Sequence, residues 1–168
     1  MTVPIGATGA SSFEREERIL GQLKERFGEA IKESRVSRRS RPEVTVAMEK
    51  MVEVATFLRD ELGFDRANGA GGADYLRDQK MEVIYHVSNL TRKGTRDIVL
   101  SVKEIIPRNN PKVTSLVNVW PSVENFERET YEMYGITFDG HPHLEKLFLL
   151  DNWDGPPPLR KDVRIPTD

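Results

Sequence analysis

Cysteine is absent from the 168-residue sequence. Iron–sulfur clusters are held mainly by cysteine thiolates, and a structural zinc ion usually needs several of them. Histidine is scarce as well, since the chain contains only His86, His141 and His143. We therefore expect no disulfide, no metal, no other cofactor and no electron transfer through this chain itself.

Long apolar runs and a strong net charge are lacking too. No segment approaches the roughly 18–20 apolar residues that span a bilayer. Residues 1–10 have neither the basic nor the apolar region of a secretory signal. The net charge is only −2, although 31% of the residues are charged. We expect a soluble protein, without the positive field that attracts nucleic acid or anionic lipid.

The apolar residues that are present follow helical periods in two places. Residues 1–10 are small and aperiodic and predict a flexible tail. Ser11 and Glu14 form a capping-box pattern before a helix that ends near Gly28. A second helical stripe ends at Gly63. The apolar members of this stripe are Met48, Met51, Val52, Ala55, Leu58 and Leu62.

Alternating apolar residues predict several strands. The predicted strands lie at 30–36, 42–46, 81–87 and 98–102. A hairpin turn at 91–95 joins the last two, and the glycine-rich residues 68–73 predict a flexible loop. The order suits an α+β two-layer sandwich over residues 11–113, a mixed β-sheet with two helices on one face (α-β-β-α-β-β-β). Residues 114–168 add a further helix and an extended C-terminal arm.

Three short motifs could bind a phosphate, a nucleic acid or a metal ion, but the residues around each one favour another interpretation. The glycines of 69–72 lack the lysine and the following helix that a phosphate-binding loop needs. The basic residues of 35–41 have no interleaved aromatic side chains, so a solvated loop or a patch for an acidic protein is favoured over a nucleic-acid-binding module. The pair His141 and His143 around Pro142 is too small for a metal site and favours a rigid turn.

Residues 122–135 predict a helix with a serine cap that ends at Gly135. Its acidic side chains are Glu124, Glu127, Glu129 and Glu132. Paired carboxylates can act as general acid and base, so a free-standing enzyme that uses this helix with His141 is one hypothesis. However, Glu124 and Arg128 are spaced to pair at i,i+4, which favours a charged surface helix.

The same helix belongs to the most distinctive part of the sequence. The characteristic sequence motifs of this region are Trp120-Pro121, Glu127-Arg128-Glu129, Glu132, Gly135-Ile136, Gly140-His141-Pro142, Trp153 and Pro158-Leu159-Arg160-Lys161-Asp162. In this order they resemble the family of the 30-kilodalton (C) subunit of respiratory complex I, which has members in F420H2 dehydrogenases and membrane-bound hydrogenases. The resemblance is strong over residues 115–162, and over residues 14–113 it rests on the order of elements.

The resemblance implies a non-catalytic, cofactor-free subunit of a redox-driven, ion-translocating membrane complex. Such a subunit lies on the hydrophilic arm at the cytoplasmic face, beside the large nickel–iron-hydrogenase-derived subunit and the small cluster-bearing subunit. Its contact with the membrane is indirect, and the electron donor, the acceptor and the pumped ion stay open. The implied signature or docking residues are Trp120, Glu127, Arg128, Glu129, Glu132, Gly135, Gly140, His141, Pro142, Trp153, Leu159, Arg160, Lys161 and Asp162. Among them, Arg128 is expected to be buried in a network.

Residues 151–168 predict an assembly arm with little part in folding the domain. The three prolines of 156–158 forbid a helix and supply no N–H group to a sheet. Trp153, Leu159 and Arg160 are of the types that often anchor interfaces. A truncation after Leu150 is therefore expected to leave the domain folded and to abolish assembly.

Overall fold

The computed structural model describes residues 13–164 as three helices and seven strands. The helices are α1 (Glu14–Phe27), α2 (Met51–Asp60) and α3 (Glu124–Tyr134). The strands are β1 (Ile31–Arg38), β2 (Arg41–Val46), β3 (Arg66–Tyr75), β4 (Lys80–Ser88), β5 (Val99–Pro107), β6 (Lys112–Thr114) and β7 (Thr137–Asp139). The predicted tail at 1–10 and the serine of the predicted capping box lie outside the described residues. Helix α1 begins at Glu14, with Phe13 as its N-cap.

Five strands form one mixed sheet in the order β1-β2-β5-β4-β3. Strands β2 and β5 are parallel, and the other neighbours are antiparallel. Apolar residues of α1 and α2 join those of one sheet face in a single core. The predicted α+β fold with a mixed sheet is confirmed. In addition, α3 lies over the same face, because its Glu127 reaches the hydroxyl of Tyr85 on β4.

The two central strands show why the prediction succeeded there. Met81, Val83, Tyr85 and Val87 alternate along β4, and all four are completely buried. On β5, alternate residues also point into the core, and the two strands pair antiparallel along their whole length. A period of two places every second side chain on the same sheet face, so the pattern alone identifies the buried side.

The glycine-rich segment is an edge strand, and its prediction as a flexible loop was wrong. Strand β3 pairs with β4 from Arg66 opposite Ser88 to Tyr75 opposite Lys80. A Cβ atom added to Gly72 would lie 2.9 Å from the ring of Tyr134 on α3. Glycine is therefore needed here because it lets a helix approach the strand closely.

Two further interpretations also need correction. The basic stretch is not a loop, because it forms the β1–β2 hairpin, where Arg35 pairs with Glu43 at 2.8 Å. The helical stripe at 48–62 is shorter than predicted, since α2 begins at Met51 and residues 48–50 form a 3-10 turn. Met48 and Val52, two predicted members of the stripe, are exposed, and Val54 lies on the buried face instead.

A second, two-stranded sheet was not predicted. The short strands β6 and β7 pair in parallel, with Val113 opposite Phe138, and α3 lies between them in the chain. Each strand has three residues, too few to show an alternating pattern. Within residues 13–164, the structure contains no helix long and apolar enough to cross a membrane.

Candidate docking surface

Helix α3 places the carboxylate of Glu127 inside the protein. Glu127 is fully buried and accepts hydrogen bonds from the Tyr85 hydroxyl (2.9 Å), the Ser115 hydroxyl (2.5 Å) and the Leu116 N–H (2.9 Å). Burial raises its pKa, while the three donors oppose that shift. The helix is therefore not simply a charged surface helix, since this glutamate joins it to β4 and to the chain that follows β6.

A second glutamate, Glu104 on β5, lies close enough for its charge to interact with that of Glu127. Burial, reinforced by the charge of Glu127, raises the pKa of Glu104 to about 8. Sequence reasoning did not single out Glu104. One signal was present, because Glu104 stands in phase with the apolar residues Leu100, Val102 and Ile106 of β5.

Glu132 lies near the C-terminal end of α3 and holds the segment that follows β7. Only 5% of this residue is exposed. Its carboxylate accepts the backbone N–H groups of Phe148 (2.9 Å) and Leu149 (2.6 Å). The implied signature residue Glu132 thus fixes residues 148 and 149, directly before the C-terminal arm of residues 151–168.

Arg128 is half-buried but does not belong to a buried carboxylate network. It donates to the backbone carbonyls of Glu145 (3.2 Å) and Lys146 (2.9 Å) and to the side chain of Asn125 (3.3 Å). The predicted pair with Glu124 is absent from the ion pairs of the described residues. Arg128 therefore orders the loop after β7. The buried hydrogen-bond network of α3 is formed by its neighbour Glu127 instead.

The histidine turn has a structural arrangement that agrees with the rigid-turn interpretation. Nε2 of His141 lies 3.0 Å from the backbone carbonyl of Glu124, so it is the donor in that hydrogen bond. Nδ1 of the same ring accepts the N–H of His143 at 3.1 Å. Gly140 adopts a left-handed conformation, whereas Pro142 is exposed.

Trp120 is a core residue that positions the start of α3. It is 1% exposed, and its indole N–H donates to the backbone carbonyl of Phe64 at 2.8 Å. Glu129, by contrast, faces solvent on α3. Because Trp120 is buried, it is unsuited to direct contact with another protein, whereas Glu129 is accessible.

The C-terminal arm contacts a buried ion pair of the domain. Arg108 contacts Asp74 through two hydrogen bonds of 2.8 and 3.0 Å. The same guanidinium reaches Asp162 at 2.6 Å, and Asp74 also accepts the N–H of Lys161 at 2.8 Å. Arg108 lowers the pKa of both aspartates. The arm is therefore hydrogen-bonded to its own domain, and its small part in folding stays a prediction.

Two further contacts hold the middle of the arm against the end of α3. The N–H of Leu159 donates to the carbonyl of Met133 at 3.0 Å. Gly135 ends the helix with φ 72°, and a Cβ atom there would lie 2.9 Å from Pro157. Glycine thus serves both the left-handed helix end and the close approach of the proline. Arg160 is half-buried nearby.

Large apolar side chains are exposed on this ordered segment. Between residues 148 and 159, the exposed fractions are 65% for Phe148, 72% for Leu150, 38% for Trp153 and 47% for Leu159. We name these four side chains the arm patch. Lys146 orders the turn that carries them, since its ammonium group donates to the carbonyl of Trp153 at 2.7 Å.

The chain matches a protein-family model described as the 30 Kd subunit of respiratory-chain NADH dehydrogenase, over residues 44–168. The chain belongs to this family. The C subunit of NADH-quinone oxidoreductase from Roseiflexus sp. (strain RS-1) is 42% identical over 125 residues, which cover 73% of this chain and 69% of the relative. The C subunit of F(420)H(2) dehydrogenase from Methanosarcina mazei is 37% identical over 144 residues, which cover 86% and 89%.

Two solved structures share the fold. A chain of an archaeal membrane-bound sulfane sulfur reductase superposes with a TM-score of 0.78 at 24% identity, over 90% of this chain and 87% of the other. A trypsin-resistant fragment (1-134) of Nqo5 gives a TM-score of 0.65 at 25% identity, over 77% and 99%. The family consists of subunits of complex I-like respiratory complexes, so this chain is part of a membrane-associated assembly with other subunits as partners.

Proposed function

We propose that this chain is a non-catalytic, cofactor-free subunit of the hydrophilic arm of a redox-driven, ion-translocating complex at the cytoplasmic face of a membrane. It docks beside the large nickel–iron-hydrogenase-derived subunit and the small cluster-bearing subunit. The observation that carries this proposal is the arm patch, in which large apolar side chains are exposed on a segment that is itself firmly attached.

The attachment matters because ordering a flexible segment on binding costs free energy. The arm patch lies between two anchors, the Glu132 carboxylate at its start and the Arg108–Asp162 contact at its end. The backbone that carries these side chains is therefore attached at both ends before a partner arrives. Aromatic residues such as Phe148 and Trp153 are enriched at the centres of interfaces, where they bury large areas.

The acidic helix offers little support for a free-standing enzyme. Two of its four glutamates, Glu127 and Glu132, are buried and already accept several hydrogen bonds each from the protein. General acid–base catalysis needs carboxyl groups that can reach a substrate in a common site. We infer that these carboxylates position the arm instead of performing chemistry.

Substitution of the most exposed member of the arm patch tests this function. Leu150→Asp should leave the isolated chain folded and should sharply lower its recovery with the other subunits from host membranes. Leu90→Asp is the matched control, because Leu90 is 52% exposed but lies outside the arm patch. If the Leu150 variant assembled as well as the Leu90 variant, the arm patch would not be a docking surface.

A further inference from the structure

A cleft lies on another part of the molecule, between the 3-10 turn that precedes α2 and the small sheet of β6 and β7. Its volume is about 470 Å³. Of the described residues that line it, Glu104 and Val113 are buried, whereas the others reach the surface. These two residues therefore form the floor of the cleft.

The carboxyl group on this floor has an unsatisfied oxygen. Glu104 is 1% exposed, and its Oε1 atom has no hydrogen-bond partner among residues 13–164. Buried polar atoms nearly always have a partner, because leaving one without a hydrogen bond is costly. Glu127 on α3 cannot supply a donor when ionised, and its negative charge opposes that of Glu104.

The rim of the cleft adds further negative charge. Asp139 is paired with Lys112 at 2.8 Å, so these two charges compensate each other. Glu49, which is exposed at the rim, forms no ion pair among the described residues. A group that carries positive charge and N–H donors would therefore complement both Glu49 and Glu104.

We propose that this cleft receives an arginine or lysine side chain of an adjoining subunit, which donates a hydrogen bond to Glu104. The proposal rests on the proposed function, because it requires that the chain docks against other subunits. A long basic side chain suits the site, since its apolar stem can pass the rim while its charged end reaches the floor. The cleft is then a second contact, independent of the arm patch.

Glu104→Gln tests the proposal because it keeps the size of the side chain and removes the carboxyl group that ionises beside a bound cation. The full-length variant alone should melt at the same temperature as the wild type or higher. Its recovery with the other subunits from host membranes should fall by at least about tenfold, as expected when a buried charge pair loses one partner. Glu82→Gln is the control, since Glu82 is a half-buried glutamate on the opposite face of the same sheet.

Glu49→Arg provides a second variant that does not alter the core. It places a positive charge at the rim, so it should also lower recovery in the complex while leaving the melting temperature unchanged. Normal assembly of both Glu104→Gln and Glu49→Arg would overturn the proposal. If those two assemble normally but Leu150→Asp does not, only the cleft assignment fails, and the docking function stands.

A small soluble cation is the competing occupant, and calorimetry distinguishes it. Spermidine titrated into the isolated full-length chain should give no heat of binding that depends on Glu104. If the wild type bound spermidine and Glu104→Gln did not, the site would belong to a free polyamine, and the proposal of a side chain from an adjoining subunit would be overturned.

Discussion

The central sheet and the segment after it bury different kinds of side chain. Along β4 and β5, the buried face consists almost entirely of apolar residues such as Val83 and Val102. Around α3 and the arm, the groups that join one element to another are the carboxylates of Asp74, Glu127 and Glu132. Apolar burial is not directional, whereas a hydrogen-bonded carboxylate determines where its donors lie. Apolar burial therefore stabilises the domain, and the hydrogen-bonded carboxylates position the exposed arm patch.

The strongest test of this comparison removes the cation that joins the domain to the arm. Arg108→Ala leaves Asp74 buried without its charged partner, so unfolding should require about 3–5 kcal/mol less free energy. A denaturant titration measures the loss. Arg35→Ala serves as the control, because Arg35 forms an exposed pair on the open face of the sheet and its loss should have a small effect. Equal stability of the two variants would contradict the role of Arg108.

The apolar half of the comparison is tested at Leu58 on α2. Leu58 is completely buried, so Leu58→Ala should leave a cavity and cost about 2–5 kcal/mol in a two-state denaturant titration. Val52→Ala on the same helix changes an exposed residue and should cost less than about 0.5 kcal/mol. A cost below about 1 kcal/mol at Leu58 would show that this helix face does not form the core.

The pH dependence of stability tests the buried pair of glutamates. The pKa of Glu104 is raised from 4.5 to about 8, so the folded state binds this proton more tightly than the unfolded state. The resulting stabilisation is complete below pH 4.5 and is lost as the pH rises towards 8. Glu104→Gln should flatten this decline, by on the order of a few kcal/mol, in melting curves recorded across that range. An unchanged slope would mean that Glu104 is ionised in the folded state at neutral pH.

Truncation after Leu150 measures how far the arm contributes to folding. Asp74 would lose the N–H of Lys161, and the carbonyl of Met133 would lose the N–H of Leu159. We expect a loss of about 1–3 kcal/mol from these hydrogen bonds, with a domain that still folds. Chemical denaturation of the truncated chain checks this value. A loss within error of zero would restore the view of the arm as a passive extension.

Arg128→Ala should have the smallest effect of these changes. Two of its three hydrogen bonds reach backbone carbonyls of the loop at 145–146, and because Arg128 is partly exposed we expect a total loss of only about 0.5–1.5 kcal/mol. A loss as large as that of Arg108→Ala would show that Arg128 takes part in a buried charge network after all. Thermal melting of the two variants side by side decides between these outcomes.

The structure could be predicted from the sequence where regularly spaced apolar residues identify one buried face. The alternation of apolar residues in β4 identified its core residues. The family resemblance rested on several uncommon sequence motifs in a fixed order between Ser115 and Asp162. Both signals are local, since they depend on neighbours along the chain. The α+β class and the family membership therefore followed from the sequence without knowledge of the contacts.

Tertiary structure alone decided the environment of the glycines and the carboxylates. Nothing in Gly72 itself indicates a strand, because its conformation depends on pairing with β4 and on the helix packed against it. Glu127 and Glu132 are charged residues, and charge by itself predicts exposure. They can be buried because distant segments bring hydroxyl and N–H donors to them. The physical reason is that desolvation of a carboxylate is compensated only by partners that the folded chain assembles.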